Sequence, residues 1–212
     1  EQGIKYAGTL DPPATIAYLT AKGNRVAFVA FGHNREMPSI NDLDGARRLV
    51  TEAAKNADIV VVSFHGGAEG TGAQHVPNRN EIFRGENRSN LPLFARTVVD
   101  AGADLVLGHG PHVLRGMEVY KDRLVMYSLG NFCTYGWFQL AGETALTVAL
   151  EAKLAPDGKF LAGRVHSGRQ EAKGIPVLDP SKEGLRVVRS LSETDFGTNA
   201  PKFAEDGTIS PR

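Results

Sequence analysis

One cysteine, Cys133, is all the thiol chemistry this 212-residue chain carries. A single thiol forms no intrachain disulfide, so a cysteine zinc cage and a disulfide-stapled scaffold are both excluded. No base or orienting group stands next to it in sequence, and it is expected to be a buried, inert thiol rather than a nucleophile. Charge of one sign is lacking too. Lys plus Arg and Asp plus Glu each total 24, which leaves no field to steer nucleic acid or an acidic membrane surface, and no nucleic-acid partner is expected. Nor is there a run approaching the roughly 18 consecutive apolar residues that span a bilayer, and Glu1-Gln2-Gly3-Ile4 does not read as a signal peptide. The chain as written reads as soluble, and with no initiator Met it is expected to follow an upstream segment. Its 42% hydrophobic content suffices for one core, giving a single domain over 1–212 with 174–212 as a C-terminal extension packed on it.

What is present is a regular alternation of elements. Arg25 to Phe31, RVAFVAF, and Asp58 to Phe64, DIVVVSF, are short β-branched and aromatic runs of the kind that fill strands buried on both faces. Between them Asp42 or Asp44 can cap GARRLVTEAAKNA, where Ala46, Leu49, Val50, Ala53 and Ala54 recur at helical spacing. A second helix is expected over Leu91 to Ala101, with Leu93, Phe94, Val98 and Ala101 on one side and Gly102 ending it. A third strand follows at Asp104 to Leu107. This β-α-β-α-β order implies a parallel sheet with right-handed crossovers. MEVY–KD–RLVMYSL and TALTVALEAKL–DG–KFLAGRVHS then read as antiparallel hairpins. From about Gly174 the only further element expected is a strand or short helix at Leu185 to Leu191.

In open α/β sheets, ligands gather beyond the carboxyl ends of the strands. Two of the strands run straight into histidine there: His65-Gly66-Gly67-Ala68-Glu69-Gly70 and His109-Gly110-Pro111-His112. Neutral imidazole suits zinc, manganese or iron, and the adjacent glycines let backbone approach an ion or an oxyanion. Pro111 restricts Gly110 toward extended geometry. His65 alone could equally be a hydrogen-bonded histidine at a strand end, whereas the His109 and His112 pair has no evident packing purpose. His33, past the first strand, reads as a solvated loop histidine. The long loop from His65 to Asn90 crowds Glu69, His75, Arg79, Glu81, Arg84, Glu86 and Arg88 together. Most of this is expected as solvated charge, with Glu69 and His75 close enough to His65 to touch substrate or support a ligand. Arg115 is either a bidentate contact to a substrate carboxylate or phosphate, or a surface arginine. Asn131, Tyr135 and Trp137 could line a polymer groove, although packing is the commoner use of the two aromatics.

The stretch GADLVLGHGPHVLRGMEVYKDRLVMYSLGNF, Gly102 to Phe132, closely resembles the bacterial CapA family, poly-γ-glutamate capsule proteins related to metallophosphoesterases. DIVVVSFHGGAEG resembles that family's other histidine motif, and GIKYAG with RVAFVAFG the segment before it. The resemblance implies an α/β fold, part of a metallophosphoesterase-like αββα sandwich. It makes His65, His109 and His112 the catalytic and metal-ligating residues, with Glu69, His75, Arg115 and Asn131 toward the substrate. It further implies divalent metal ions (zinc, manganese or iron), two when the domain is complete. The implied substrate is an anionic polymer, poly-γ-glutamate, or a phosphate ester, and the implied partners are membrane capsule synthase subunits at an extracytoplasmic or membrane-anchored location. The family's earlier Gly-Asp and Asn-His motifs do not occur here, so half of a two-metal site is expected to be missing. A hydrolase-type enzyme, a non-catalytic polymer-binding component and a plain metallophosphoesterase are therefore the three functions to separate.

Overall fold

The computed structural model describes residues 3–136 and 140–212. In chain order the elements are strands β1 (Thr9–Leu10), β2 (Pro13–Ala14), β3 (Ile16–Ala21) and β4 (Asn24–Gly32), then helix α1 (Leu43–Lys55) and β5 (Ile59–His65). A small ribbon, β6 (Ile82–Phe83) with β7 (Glu86–Asn87), precedes α2 (Leu91–Asp100), β8 (Leu105–His109), β9 (Met117–Tyr120) and β10 (Arg123–Met126). The last third holds β11 (Leu146–Leu154), β12 (Phe160–Glu171), β13 (Ile175–Leu178), α3 (Glu183–Phe196), β14 (Lys202–Phe203) and β15 (Thr208–Ser210).

Six strands form the first sheet in the order β3-β4-β5-β8-β10-β9. The four inner ones run parallel, while β3 and β9 lie antiparallel at the two edges. The expected β-α-β-α-β unit is thus its centre. Asp42 is the residue that caps α1, its carboxylate accepting from the Gly45 N–H at 2.9 Å. Ala46, Val50 and Ala53 of that helix pack with Phe94 and Val98 of α2 against Val29, Phe31, Val62, Phe64 and Val106. Leu93, expected on the inner face of α2, is half exposed, because the buried stripe runs instead through Leu91, Phe94, Ala95 and Val98.

A second, antiparallel sheet has the order β11-β12-β15-β14, with β13 also paired to β12. The two predicted hairpins are present as β9–β10 and β11–β12. Residues 174–212 contribute β13, β14 and β15 to this sheet, and Leu185, Val188 and Ile209 enter its core. That second core joins Val148, Phe160 and Val165 to Leu124 and Met126, with Leu105 and Leu107 packed against it. The segment expected as a short element at Leu185 to Leu191 is the 14-residue helix α3.

One expectation changes in a way that bears on the site. β4 and β5 were expected to be buried on both faces, yet β5 alternates buried and half-buried along its length. Val60, Val62 and Phe64 face the helices. Val26, Phe28, Ile59 and Val61, on the opposite face, belong to neither core. The reason is the position of the second sheet, whose core reaches β8 and β10 but not β4 and β5. His65 and His109 project from this second face, at its carboxyl end.

Candidate active site

Parallel pairing puts the two strand-end histidines side by side. The register matches Gly32 with His65 and His65 with His109, and in a parallel ladder such neighbours point to the same face. The Gly66 N–H then donates to the His109 carbonyl at 2.9 Å, tying the two loops together. Gly110 has φ +120°, and a β-carbon there would stand 2.6 Å from the Gly66 oxygen and 3.2 Å from the His65 ring. Only glycine fits. The turn is therefore set by this positive φ rather than by the extended Gly110 that Pro111 suggested from sequence.

His112 follows in the left-handed region, φ +60°, a conformation that costs a non-glycine residue of order 1–3 kcal/mol and must be held by its surroundings. Asn131 holds it. Its amide nitrogen donates to the His112 carbonyl at 3.1 Å and to the Thr144 carbonyl at 3.0 Å. Those two acceptors fix which way the amide faces, so its oxygen lies 2.7 Å from His112 Nδ1. Nδ1 must then carry the proton, and the lone pair of the neutral ring sits on Nε2. Asn131, expected to touch substrate, is buried and acts by positioning His112.

His33 was expected in solvent and is instead part of the cluster. Its side chain is 9% exposed, its ring centroid lies 5.5 Å from that of His65, its Nδ1 is 3.3 Å from the His65 carbonyl, and its Nε2 is 3.6 Å from Glu86. The available signal was its position one residue beyond β4, the strand next to β5. Its neighbours, which are not glycine-rich, argued the other way.

Burial, and after it the nearness of His33, His112, His109 and the Arg88 guanidinium, hold the His65 imidazole down at about 4. Burial lowers His109 as well. Above about pH 6.5 the His65 ring is neutral in folded and unfolded chains alike. Between there and about 4 the unfolded chain takes up a proton that the folded one refuses, so stability falls as pH drops through that window and levels off below it. For a ring that is only partly buried we expect the loss to be about 1–2 kcal/mol after solvent screening. Urea unfolding of the protein and of His65→Gln at pH 7, 5.5 and 4 checks this, since the variant should show a shallower decline. Parallel declines would contradict it.

The remaining candidates have internal partners. Arg115, expected either on the substrate side or on the surface, is 0% exposed. Its guanidinium forks onto Glu81 at 2.8 and 2.7 Å, and it donates to the carbonyls of Ala73 and Ala68 at 2.7 and 3.3 Å. Its bidentate carboxylate is therefore within the chain. Glu69 accepts from Arg88 at 2.8 Å. His75, on an exposed part of the loop, has Nδ1 2.7 Å from Asp195 of α3.

Most of the loop charge is solvated as expected, His75, Arg79, Arg84 and Glu86 being exposed, but two of its charges are not. Glu81, Arg88 and Arg115 are all buried, and their ion pairs fold the segment between His65 and Asn90. The same network explains the glycines after His65. A β-carbon on Gly67, at φ +86°, would stand 2.8 Å from Arg115, and one on Gly66 would meet Ile40, Arg88 and Leu91. Cys133 is exposed rather than buried, and Tyr135 is 68% exposed. Trp137 lies outside the described residues.

The cluster supplies imidazole lone pairs, the chemistry a divalent ion asks for. Among the described residues, however, no three His, Cys, Asp or Glu side chains are set so as to hold one. The described residues by themselves form no metal cage, and no chemical step is routed through one.

The family model for "Bacterial capsule synthesis protein PGA_cap" matches residues 1–135, a span that contains His33, His65, His109, His112 and Asn131. The chain is 33% identical over 162 residues to the PGA biosynthesis protein CapA of Bacillus subtilis, covering 76% of this chain and 37% of that one. It is 32% identical over 139 residues to the capsule biosynthesis protein CapA of Bacillus anthracis, covering 65% and 29%. It therefore spans about a third of the length of these curated relatives. Among solved structures, a putative 5′-nucleotidase from Staphylococcus aureus aligns over 84% of this chain and 33% of that one, at 16% identity and a TM-score of 0.40. On the extent of the family match and the two Bacillus relatives, the chain belongs to the bacterial capsule synthesis protein family PGA_cap.

Proposed function

We propose that this domain provides a histidine-based site that handles an anionic substrate, a γ-glutamyl polymer or a phosphate ester, in capsule synthesis. One observation carries the reading. The sheet register places His65 and His109 abreast at one strand edge, and Asn131 turns His112 with its Nε2 lone pair defined. Family membership supports the capsule setting.

The arrangement has definite chemical uses. His112, whose neutral ring carries its proton on Nδ1, is suited to accept a proton at Nε2 from a water or hydroxyl nucleophile, or to return it to a leaving group. Asn131 stabilises the ring in either state by accepting from Nδ1–H. His65 stays neutral at neutral pH and is a weak base, better suited to orienting a polar group than to taking a proton. Hydrolase-type turnover assisted by zinc, manganese or iron enters this reading only with donors beyond the described residues.

A second reading, a non-catalytic component that binds polymer beside membrane synthase subunits outside the cytoplasm, is favoured by the lack of a three-donor group among the described residues. No described helix is long and apolar enough to cross a membrane. Two measurements separate the readings. After metal loading and desalting, the 212-residue chain is expected to retain far less than one equivalent of zinc or manganese. Retention near one equivalent, abolished by His109→Ala, would show that the described residues suffice for a cage after all. Assays of a phosphodiester, a phosphomonoester and γ-linked glutamate oligomers, run side by side, then identify the substrate. Turnover of the phosphate compounds alone removes the polymer, and binding of oligomer without turnover selects the non-catalytic reading.

A further inference from the structure

We propose that the cleft between α1 and the loop 32–39 binds an extended carboxylate-bearing chain with a methylene-rich body, such as a γ-linked glutamate segment, and leads it to the histidine cluster. The inference rests on the anionic-substrate reading above and adds a place for the chain that none of the histidine motifs specifies.

The cleft has a volume of about 710 Å³, within the range of small-molecule sites. Its lining is apolar where Leu10, Phe31, Met37 and Leu49 meet, and Arg35 and Arg48 lie along it, both exposed. Neither guanidinium has a hydrogen bond, ion pair or ring contact among the described residues. The two carboxylates that also line the cleft are engaged elsewhere. Asp42 caps α1 through Gly45, and Glu52 accepts from Lys55 at 3.3 Å and from Asn56 at 3.1 Å. The cleft therefore offers two unpartnered cations beside an apolar wall.

A γ-linked glutamate chain has the complementary pattern. Two methylenes lie in each repeat of its main chain, and each repeat carries one free carboxylate for a guanidinium fork. A compact anion such as inorganic phosphate has the charge without the apolar body. The cleft also has a direction. His33 lines it, and the His33 ring is 5.5 Å from that of His65, so a chain lying along α1 ends at the cluster. The cleft does not contain His65, His109 or His112 themselves, and His33 is the point where the two regions meet.

The test is titration of the whole chain with a γ-linked glutamate decamer, an α-linked decamer and inorganic phosphate, followed by amide NMR shifts and fluorescence polarisation. The γ-linked decamer is expected to shift the amides of Arg35, Arg48 and Leu49. Its affinity should fall about tenfold or more in Arg35→Gln/Arg48→Gln, two charge-assisted contacts having been removed, and should fall with added salt. Arg189→Gln, at an exposed arginine of α3 that lines neither the cleft nor the cluster, should leave this affinity unchanged. A decamer bound equally well by the double variant, and lost in His109→Ala, overturns the cleft while leaving the histidine reading intact. Equal binding of the α-linked decamer or of phosphate overturns the assignment to a γ-linked chain. No binding of the γ-linked decamer to the parent protein overturns both the cleft and the polymer reading.

Discussion

Arg115→Ala is expected to destabilise the fold by about 3–5 kcal/mol, the usual cost of leaving a buried charge without its partner. The side chain has no exposed surface, and removing it strands Glu81, which is 7% exposed and also accepts from the Ala68 N–H at 2.9 Å. The carbonyls of Ala68 and Ala73 lose their donors as well. Against the roughly 5–15 kcal/mol by which domains are stable, that loss should unfold much of the chain at moderate urea. It should also open the segment between His65 and Asn90 to protease first, because Arg115 ties that segment to the sheet. The companion experiment is Glu81→Leu/Arg115→Met. With both charges gone and apolar volume restored, most of the stability should return, since a buried ion pair replaced as a unit is often near neutral. If the single variant unfolded at the same urea concentration as the parent, the pair would not be what organises the loop.

Asn131→Ala should leave the chain folded and remove the device that sets His112. The side chain makes three hydrogen bonds, two of them to His112 itself. Losing them removes the acceptor that fixes the proton on Nδ1 and the donor to the carbonyl of a residue held at φ +60°. A partner that orients a functional histidine is typically worth about 10–100-fold in affinity or activity, and that is the loss expected for whichever substrate the assays above identify. The direct readout does not depend on activity. In the parent, ¹⁵N shifts of the His112 ring should report a proton on Nδ1, and in Asn131→Ala the ring should populate both tautomers. Asn131→Asp separates positioning from mere packing. It still accepts from Nδ1–H, so the tautomer should be retained, but it cannot donate to the carbonyls of His112 and Thr144. A mixed-tautomer ring in the parent would remove Asn131 from the site.

Both variants concern residues whose types were noticed in the sequence and whose roles were not legible there. Arg115 and Asn131 sit in a stretch that resembles the capsule family, where Asn131 is expected toward substrate and Arg115 either toward substrate or on the surface. Tertiary structure turned both inward. The same holds along the loop after β5, where Glu81 and Arg88 look like ordinary solvated charge until Arg115, 34 residues from Glu81, supplies the fork that permits its burial. Exposure of Cys133 was misjudged for a related reason, because hydrophobic character says nothing about a loop beyond the sheet edge. His33 was misjudged in the opposite direction.

The amino-acid sequence by itself determined the parallel unit, the capped helix α1, both hairpins and the two histidine motifs, because these depend on local terms: side-chain period, capping residues, turn dipeptides and strand ends. Which imidazoles stand abreast, which charges are paired and which sheet face is left half-covered depended on strand register and on contacts between residues far apart in the chain. No local pattern encodes those distances. Only the pairing of β4 with β5 and of β5 with β8 brought His33, His65 and His109 to one edge, and only the fold of the segment after β10 placed Asn131 against His112.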